Sequence, residues 1–195
     1  MESINQNALD QIFIKARSHN GWLSKDVSED TLHKIYDLMK WGPTSANSSP
    51  ARIVFVKSNS AKEKLIPCLD KGNVEKVRTA PVVAIIAEDV AFYDKLPKLF
   101  PHADARSWFA GNEALIKTTS FRNSTLQGAY FMIAVRSLGL DCGPMSGFDN
   151  AKVDKAFLEG TTWKSNFICS IGFGDSSKIF PRSPRLDFDE ACKVL

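Results

Sequence analysis

The amino-acid sequence predicts a single domain, spanning residues 1–195, in which a β-sheet is flanked by helices. Two continuous apolar runs, at 53–56 and 82–86, are typical of central strands covered on both faces, and 166–171 predicts a third strand. Helical patterns alternate with these strands, which favours helices layered on a sheet. A chain of this length is also expected to bury about 70% of its unfolded surface.

The first half of the chain contains three helical patterns and one irregular loop. Apolar residues over 8–14 predict the first helix. Ser28 followed by two acidic residues predicts the start of the second, because a hydroxyl caps the first turn and acids favour its positive dipole. This helix ends before Pro43, and the loop 41–50 is too rich in proline, serine and asparagine to be regular. A short third helix is expected over 61–69.

The second half of the chain is dominated by a long helical pattern over 113–138, with Gly139 suited to its C-terminal cap. The preceding segment 93–111 is interrupted by proline and glycine and shows no clear pattern. A glycine-containing turn at 172–175 follows the third strand, and a short helix is expected from Asp187. The predicted apolar positions of the long helix include Leu115, Phe121, Leu126, Tyr130, Ile133 and Val135.

The composition is that of an ordinary globular protein, with 44% hydrophobic and 24% charged residues. The formal net charge of +3 is too small for the basic footprint of a nucleic-acid-binding protein. No run approaches the roughly 18 apolar residues of a membrane span, and the polar start of the chain lacks a signal-peptide core. The four cysteines are widely spread. We therefore expect a cytoplasmic protein with no nucleic-acid or membrane partner.

Several common catalytic motifs are absent from the sequence. The serine of Gly143-Pro144-Met145-Ser146-Gly147 stands one position too late for the nucleophile elbow of a hydrolase. Gly172-Phe173-Gly174 begins a dinucleotide fingerprint without its third glycine, so a plain turn is the better interpretation. His102 and Asp104 are too few ligands for a metal site.

Four polar segments remain as candidates for a binding site. Arg17-Ser18-His19-Asn20 follows the first helix, 43–50 offers hydroxyls and backbone N–H groups, and the glycines of 143–148 let the backbone approach a ligand closely. The fourth is a C-terminal basic cluster of Lys178, Arg182 and Arg185. Arginine side chains bind phosphate bidentately and keep their charge. Solvated arginines and ordinary turns would explain the same segments.

The order and the amino-acid sequences of these segments resemble those of the FMN-dependent nitroreductase family over nearly the whole chain. The matching features are Arg17-Ser18-His19-Asn20, the loop 43–50, Gly72-Asn73, the segment 138–149 and the glycine turn after the last strand. The resemblance is closer still to one branch, the malonic semialdehyde reductases of the RutE/HadB subfamily. Its hallmarks in this chain are His19-Asn20-Gly21-Trp22, the segments 39–47 and 104–109, Phe121-Arg122-Asn123-Ser124 and the segment 174–178.

This resemblance implies an α+β fold with a central mixed β-sheet flanked by helices, assembled as a domain-swapped homodimer with FMN at the subunit interface. Arg17 and His19 would approach the FMN phosphate and ribityl chain, and Arg182 or Arg185 would complete the phosphate site. The residues expected to meet the flavin are Thr44, Ser45 and Asn47 of the partner subunit, Asn73 at its pyrimidine edge, and Ser146 and Gly147 near N5.

The implied activity is hydride transfer from NADH or NADPH to FMN and then to an acceptor, with no catalytic side chain required. The acceptor implied by the branch is malonic semialdehyde (3-oxopropanoate), reduced to 3-hydroxypropanoate in pyrimidine degradation. Arg106, ahead of Arg122, is expected to bind its carboxylate. Two alternatives stay open: a nitroaromatic or quinone reductase of broad specificity, and an FMN-binding protein without turnover.

The chain departs from the wider family at two places. Ala51-Arg52 stands where many relatives have an aromatic residue after the second proline of the loop, and Ser146 stands where many have Glu. These departures argue against a direct transfer of nitroaromatic specificity and leave the expected cofactor unchanged.

Overall fold

A computed structural model describes residues 2–195 and has a four-stranded β-sheet at its centre. The strands are β1 (Ala51–Val56), β2 (Val82–Asp89), β3 (Asp141–Met145) and β4 (Trp163–Gly172), in the spatial order β1-β2-β4-β3. All neighbouring strands pair antiparallel. A parallel bridge between Ser18 and Cys142 lies at the β3 edge. The four strands therefore form an antiparallel sheet, and the parallel pairing that a mixed sheet would have is limited to that bridge.

Helices of very different length surround the sheet. They are α1 (Gln6–Leu9), α2 (Glu29–Met39), α3 (Asn59–Leu65), α4 (Val74–Thr79), α5 (Leu96–Leu99), α6 (Glu113–Ser137), α7 (Asn150–Val153) and α8 (Phe188–Ala191). The first continues as a π-helical turn over Asp10–Ile14. Two predicted caps are confirmed: the Ser28 hydroxyl accepts a hydrogen bond from the N–H of Thr31, and Gly139 adopts a positive φ of 77° after α6.

Strand β2 is buried on both faces, as its continuous apolar run predicts. Alternate residues of a strand point to opposite sides, and Ile86 packs in a cluster with Ile35 and Phe131 on one side. Ile85 belongs to a second cluster on the other side, which includes Leu65. The prediction that 53–56 is also a central strand is wrong, because β1 is the edge of the sheet and most of it is only partly buried.

The long helix α6 confirms the predicted helical span of 113–138. Of the apolar positions in that pattern, Leu115, Phe121 and Leu126 are exposed, whereas Val135 is buried. The buried polar positions of α6 are Thr119, Ser120, Asn123, Ser124 and Gln127. Among residues 2–195 no helix, α6 included, combines the length and the hydrophobicity needed to cross a membrane.

Two segments acquire structure that the sequence pattern did not indicate. The stretch 141–145, which includes the first half of the predicted binding segment 143–148, forms β3 and pairs with β4. The segment 93–111 folds as short turns around α5, over a small apolar cluster of its own. The buried members of that cluster are Phe92, Leu96, Ala105 and Phe109.

Candidate functional site

The C-terminal tail brings two of the predicted phosphate-binding arginines together. Arg182 donates from Nη2 to two carbonyl oxygens of the 14–16 segment, at 2.8 and 3.0 Å. Arg17, in turn, donates to the carbonyl oxygen of Phe180. Arg185 donates only to carbonyls of its own neighbours. The structure therefore places Arg182, rather than Arg185, against the segment that carries Arg17.

His19 lies beneath the surface at the β3 edge of the sheet. Its Nε2 is 3.3 Å from Oδ1 of Asp141, and its backbone N–H donates to the carbonyl of Cys142 at 2.9 Å. The ring packs so closely on Gly174 that a side chain there would overlap it. Its Nδ1 is buried without a partner among the described residues. This placement favours a role in holding the 17–20 segment, and the contact with FMN stays a prediction.

Asn73 and Gly147, two residues predicted to meet the flavin, are in direct contact. The amide Nδ2 of Asn73 donates to the carbonyl oxygen of Gly147 at 2.9 Å, and the N–H of Asp70 donates to the same oxygen at 3.0 Å. A Cβ at Gly147 would lie 2.7 Å from both side chains, so only glycine fits. Ser146 is exposed directly beside this contact.

The loop 43–50 contains a 3-10 turn at Ser45–Asn47, and its predicted site residues lie near the surface. Thr44 is half-buried, and Ser45 and Asn47 are exposed. The Asn47 amide donates to the carbonyl of Leu99 at 2.8 Å, which joins the loop to the 93–111 segment. The non-glycine residues with positive φ in the described chain all belong to this loop: Ala46, Asn47 and Ser49, at 50°, 48° and 40°.

Two amide side chains of α6, missed by the sequence reasoning as site residues, bind the backbone of this loop. Oδ1 of Asn123 accepts from the N–H of Ser45 at 2.8 Å. Oε1 of Gln127 accepts from the N–H of Ala51, also at 2.8 Å. The one available signal was the motif Phe121-Arg122-Asn123-Ser124, which the resemblance quoted without assigning a role to its asparagine.

The two predicted substrate-binding arginines lie apart from these contacts. Nε of Arg106 is 2.9 Å from Oδ1 of Asp94, and its guanidinium lies 5.7 Å from the ring centre of Tyr93. The ion pair of Arg106 and Asp94 is half-exposed. Arg122 lines a surface groove of about 770 Å³ on the exposed face of α6, beside Phe121 and Leu126.

The pKa of the Glu88 carboxyl group, which lies beside α6, is shifted from its ordinary value. Burial raises the pKa of Glu88, while a hydrogen bond from Ser120 and the charge of Lys117 partly oppose that shift. Its Oε2 is buried without a hydrogen-bond partner among residues 2–195. Ionised Glu88 is therefore poorly solvated in the folded chain.

The sheet order and the long helix across the sheet define an α+β protein with the nitroreductase fold. The chain belongs to the nitroreductase family, since the sequence model of that family matches residues 15–174. The C-terminal tail with Arg182 lies beyond this match.

Known proteins similar to this chain include two bacterial relatives of matching length. A protein of Burkholderia lata, provisionally named an NADH dehydrogenase/NAD(P)H nitroreductase, is 59% identical over 194 residues and 100% of both chains. A protein of Ralstonia nicotianae with the same provisional name is 56% identical over 195 residues, again covering 100% of both chains. A crystal structure from Exiguobacterium sibiricum, provisionally named a nitroreductase and determined in complex with FMN, is 18% identical, with a TM-score of 0.85 and 100% coverage of both chains.

Proposed function

We propose that the protein is an FMN-dependent oxidoreductase that accepts hydride from NADH or NADPH. The observation that carries this proposal is the junction of Arg17 and Arg182 between the tail and the 14–17 segment. Each guanidinium has five N–H donors, and the recorded carbonyl contacts occupy only part of them. The remaining donors and the permanent positive charge of each arginine suit a phosphate group.

The other predicted residues also fit a flavin mononucleotide. Asn73 uses its N–H on Gly147, which leaves its amide oxygen as an acceptor for the pyrimidine edge. Gly147 has no side chain that would keep a planar ring away from its backbone. When bound, FMN supplies the hydride chemistry, and the protein supplies binding and orientation. The relative crystallised with FMN and the names of the two bacterial relatives support this assignment.

The proposed assembly is a domain-swapped homodimer located in the cytoplasm. The described tail carries large apolar side chains with little cover: Phe180, Leu186 and Phe188 are 72%, 68% and 65% exposed. Strand β1 is an open sheet edge, and the outer face of α6 exposes Phe121 and Leu126. Surfaces of this kind favour cover by another chain. A second copy would also bring its loop 43–50 to the flavin.

We further propose 3-oxopropanoate as the acceptor, reduced to 3-hydroxypropanoate in pyrimidine degradation. The support is the run of branch hallmarks in the sequence, including 39–47 and 104–109. A short aldehyde acid has few groups that a protein can bind, so a charge-assisted hydrogen bond from Arg106 to its carboxylate would orient it. Asp94 competes for the same guanidinium. The second candidate is a nitroaromatic or quinone reductase, favoured by the names of the two relatives.

Steady-state kinetics with a panel of acceptors tests both parts of the proposal. Arg106→Ala should raise KM for 3-oxopropanoate roughly 10- to 150-fold, the equivalent of a lost charge-assisted hydrogen bond. Reduction of an uncharged quinone should change little. Arg122→Ala tests the second candidate ligand of the carboxylate, and Arg78→Ala, which loses only an exposed ion pair with Glu75, is the control. Equal losses for both acceptors, or none, would exclude Arg106 as the carboxylate ligand. Bound FMN without NAD(P)H oxidation by any acceptor would favour the non-catalytic alternative.

A further inference from the structure

The buried face of α6 carries a stripe of polar side chains over residues 119–127, before the apolar core contact that begins at Phe131. Asn123 and Gln127 are separated by four positions, so they lie on the same face of the helix. Both are buried, with only 2% and 5% of their surfaces exposed. A buried amide destabilises a fold unless its hydrogen bonds are satisfied. The two amide oxygens are satisfied by the loop 43–50 and the residue that follows it, at the N–H groups of Ser45 and Ala51.

The orientation of Asn123 is fixed by its second hydrogen bond. Its Nδ2 donates to the carbonyl of Thr119 at 2.9 Å, one turn back along α6. The amide group therefore cannot rotate without losing both contacts, and Oδ1 is held toward the N–H of Ser45. A third side chain of the helix, Tyr130, donates its hydroxyl to the carbonyl of Pro43 at 3.0 Å. Together these contacts attach both ends of the loop to one rigid helix.

The loop needs this attachment because its own conformation is unfavourable. Left-handed backbone costs a non-glycine residue about 1–2 kcal/mol, and Ala46, Asn47 and Ser49 all adopt it. Bonds inside the loop hold the N–H groups of three residues: that of Asn47 donates to the carbonyl of Thr44 at 3.0 Å, and that of Ser48 to the carbonyl of Ser45 at 3.0 Å. The N–H of Ser49 donates to Oγ1 of Thr44 at 3.1 Å, so the N–H of Ser45 is left to Asn123. Strain of this kind persists only where the surroundings determine it, and it is typical of ligand-binding segments.

We propose that Asn123 and Gln127 are positioning residues of the flavin site. They hold the two ends of the loop so that Thr44, Ser45 and Asn47 present one fixed set of polar groups to the flavin bound with the partner subunit. The inference rests on the proposed FMN site and adds a role for the asparagine of Phe121-Arg122-Asn123-Ser124. Loss of either amide oxygen leaves the N–H of Ser45 or Ala51 without the partner that α6 provides. The contacts that remain at the two ends hold carbonyl groups instead: the Tyr130 hydroxyl binds that of Pro43, and the N–H of Asp89 binds that of Pro50.

The test uses full-length variants that separate the hydrogen bond from the volume of the side chain. Asn123→Leu and Gln127→Met keep the approximate volume and remove the acceptor oxygen. Gln127→Glu keeps an acceptor oxygen at the same position. Ser124→Ala is the matched control, since Ser124 is buried on α6 and bonds to Phe121 and Asn166 but not to the loop. Each variant is measured for FMN dissociation constant, melting temperature and amide hydrogen exchange.

The expected result is a loss of FMN affinity that does not follow overall stability. Asn123→Leu and Gln127→Met should raise the dissociation constant for FMN at least tenfold, with faster exchange at the N–H groups of Ser45 and Ala51 respectively. Gln127→Glu should restore affinity to within about threefold of the wild type, equivalent to less than 1 kcal/mol. Ser124→Ala should bind FMN like the wild type, even if its melting temperature falls as far as those of Asn123→Leu and Gln127→Met.

Three results would overturn the inference. The first is wild-type affinity in both Asn123→Leu and Gln127→Met. The second is an affinity loss in Ser124→Ala equal to theirs, which would indicate general destabilisation. The third is Gln127→Glu binding as weakly as Gln127→Met. A wild-type protein that binds no FMN refutes the proposed function itself, and the exchange rates at Ser45 and Ala51 then decide alone whether the two amides hold the loop.

Discussion

The backbone N–H groups of the sheet and those at the ends of the loop 43–50 are hydrogen-bonded in different ways. Strand β2 pairs along its length with β1 and β4, and its side chains fill apolar clusters on both faces. At the ends of the loop, by contrast, the N–H groups of Ser45 and Ala51 depend on the side chains of Asn123 and Gln127. A change in the sheet should therefore lower the stability of the whole fold, whereas a change around the loop should act locally. The difference separates residues that keep the chain folded from residues that shape a site.

The largest effect is expected for Phe131→Ala, which tests the sheet side of this comparison. Phe131 is fully buried between α6 and the sheet, beside Ile86 and Ile35. Removing the ring leaves a cavity in the core, and the free energy of unfolding should fall by about 3–5 kcal/mol. Urea unfolding measures this value. A loss below about 1 kcal/mol, typical of a surface change, would show that the core does not depend on this contact.

A smaller loss is expected for Arg52→Met, at the junction of the loop with β1. Nη2 of Arg52 is 2.7 Å from the buried carboxylate of Asp89, and Nη1 donates to the carbonyls of Ser49 and Ala51 at 3.0 and 2.8 Å. Losing a hydrogen bond to a charged, buried group should cost about 1.5–3 kcal/mol. Arg52→Lys, measured in the same unfolding experiment, keeps the charge and should lose less. Equal losses for both variants would assign the effect to the geometry of the guanidinium.

The carboxyl of Glu88 should make the stability of the fold fall as pH rises. Because burial raises its pKa in the folded chain, the native state binds this proton more tightly than the unfolded chain, and the favourable contribution is lost as pH rises through the folded pKa. Glu88→Gln removes that dependence and should raise the melting temperature near pH 8, with little change near pH 4. A melting temperature lowered near pH 8 but unchanged near pH 4 would contradict this and indicate that ionised Glu88 is stabilising.

The smallest stability effect is expected for Arg106→Ala, because its ion pair with Asp94 is half-exposed. Such pairs contribute about 0.2–1 kcal/mol, so thermal unfolding should be almost unchanged. The variant is therefore suitable for the acceptor kinetics, since any change in KM would not reflect loss of the fold. A melting temperature lowered as far as that of Arg52→Met would remove this advantage.

The sequence predicts where helices and strands lie better than it predicts which of their residues are buried and which strands pair. The caps at Ser28 and Gly139 are local signals and are confirmed. The edge position of β1 and the strand at 141–145 depend on pairing between distant segments, which apolar runs do not encode. On α6, several apolar residues are exposed, yet the polar residues Asn123 and Gln127 are buried, because the N–H groups of Ser45 and Ala51 bind their amide oxygens.

The candidate site is predictable to a similar extent. Arginines suited to phosphate can be chosen by type, but the contact of Arg182 with the 14–16 segment requires the tail to fold back. The pairing of Asn73 with Gly147 likewise joins segments far apart in sequence. The left-handed loop backbone leaves no sequence signal, because its residues include alanine and serine rather than glycine.

The absorption spectrum of the purified protein tests the central claim most directly. A protein that holds FMN through Arg17 and Arg182 should be yellow, show the bands of a bound flavin, and release FMN rather than FAD on denaturation. The double variant Arg17→Ala and Arg182→Ala should lose the colour on purification while remaining folded. A colourless wild-type protein whose spectrum and fluorescence do not change when FMN is added would contradict the account.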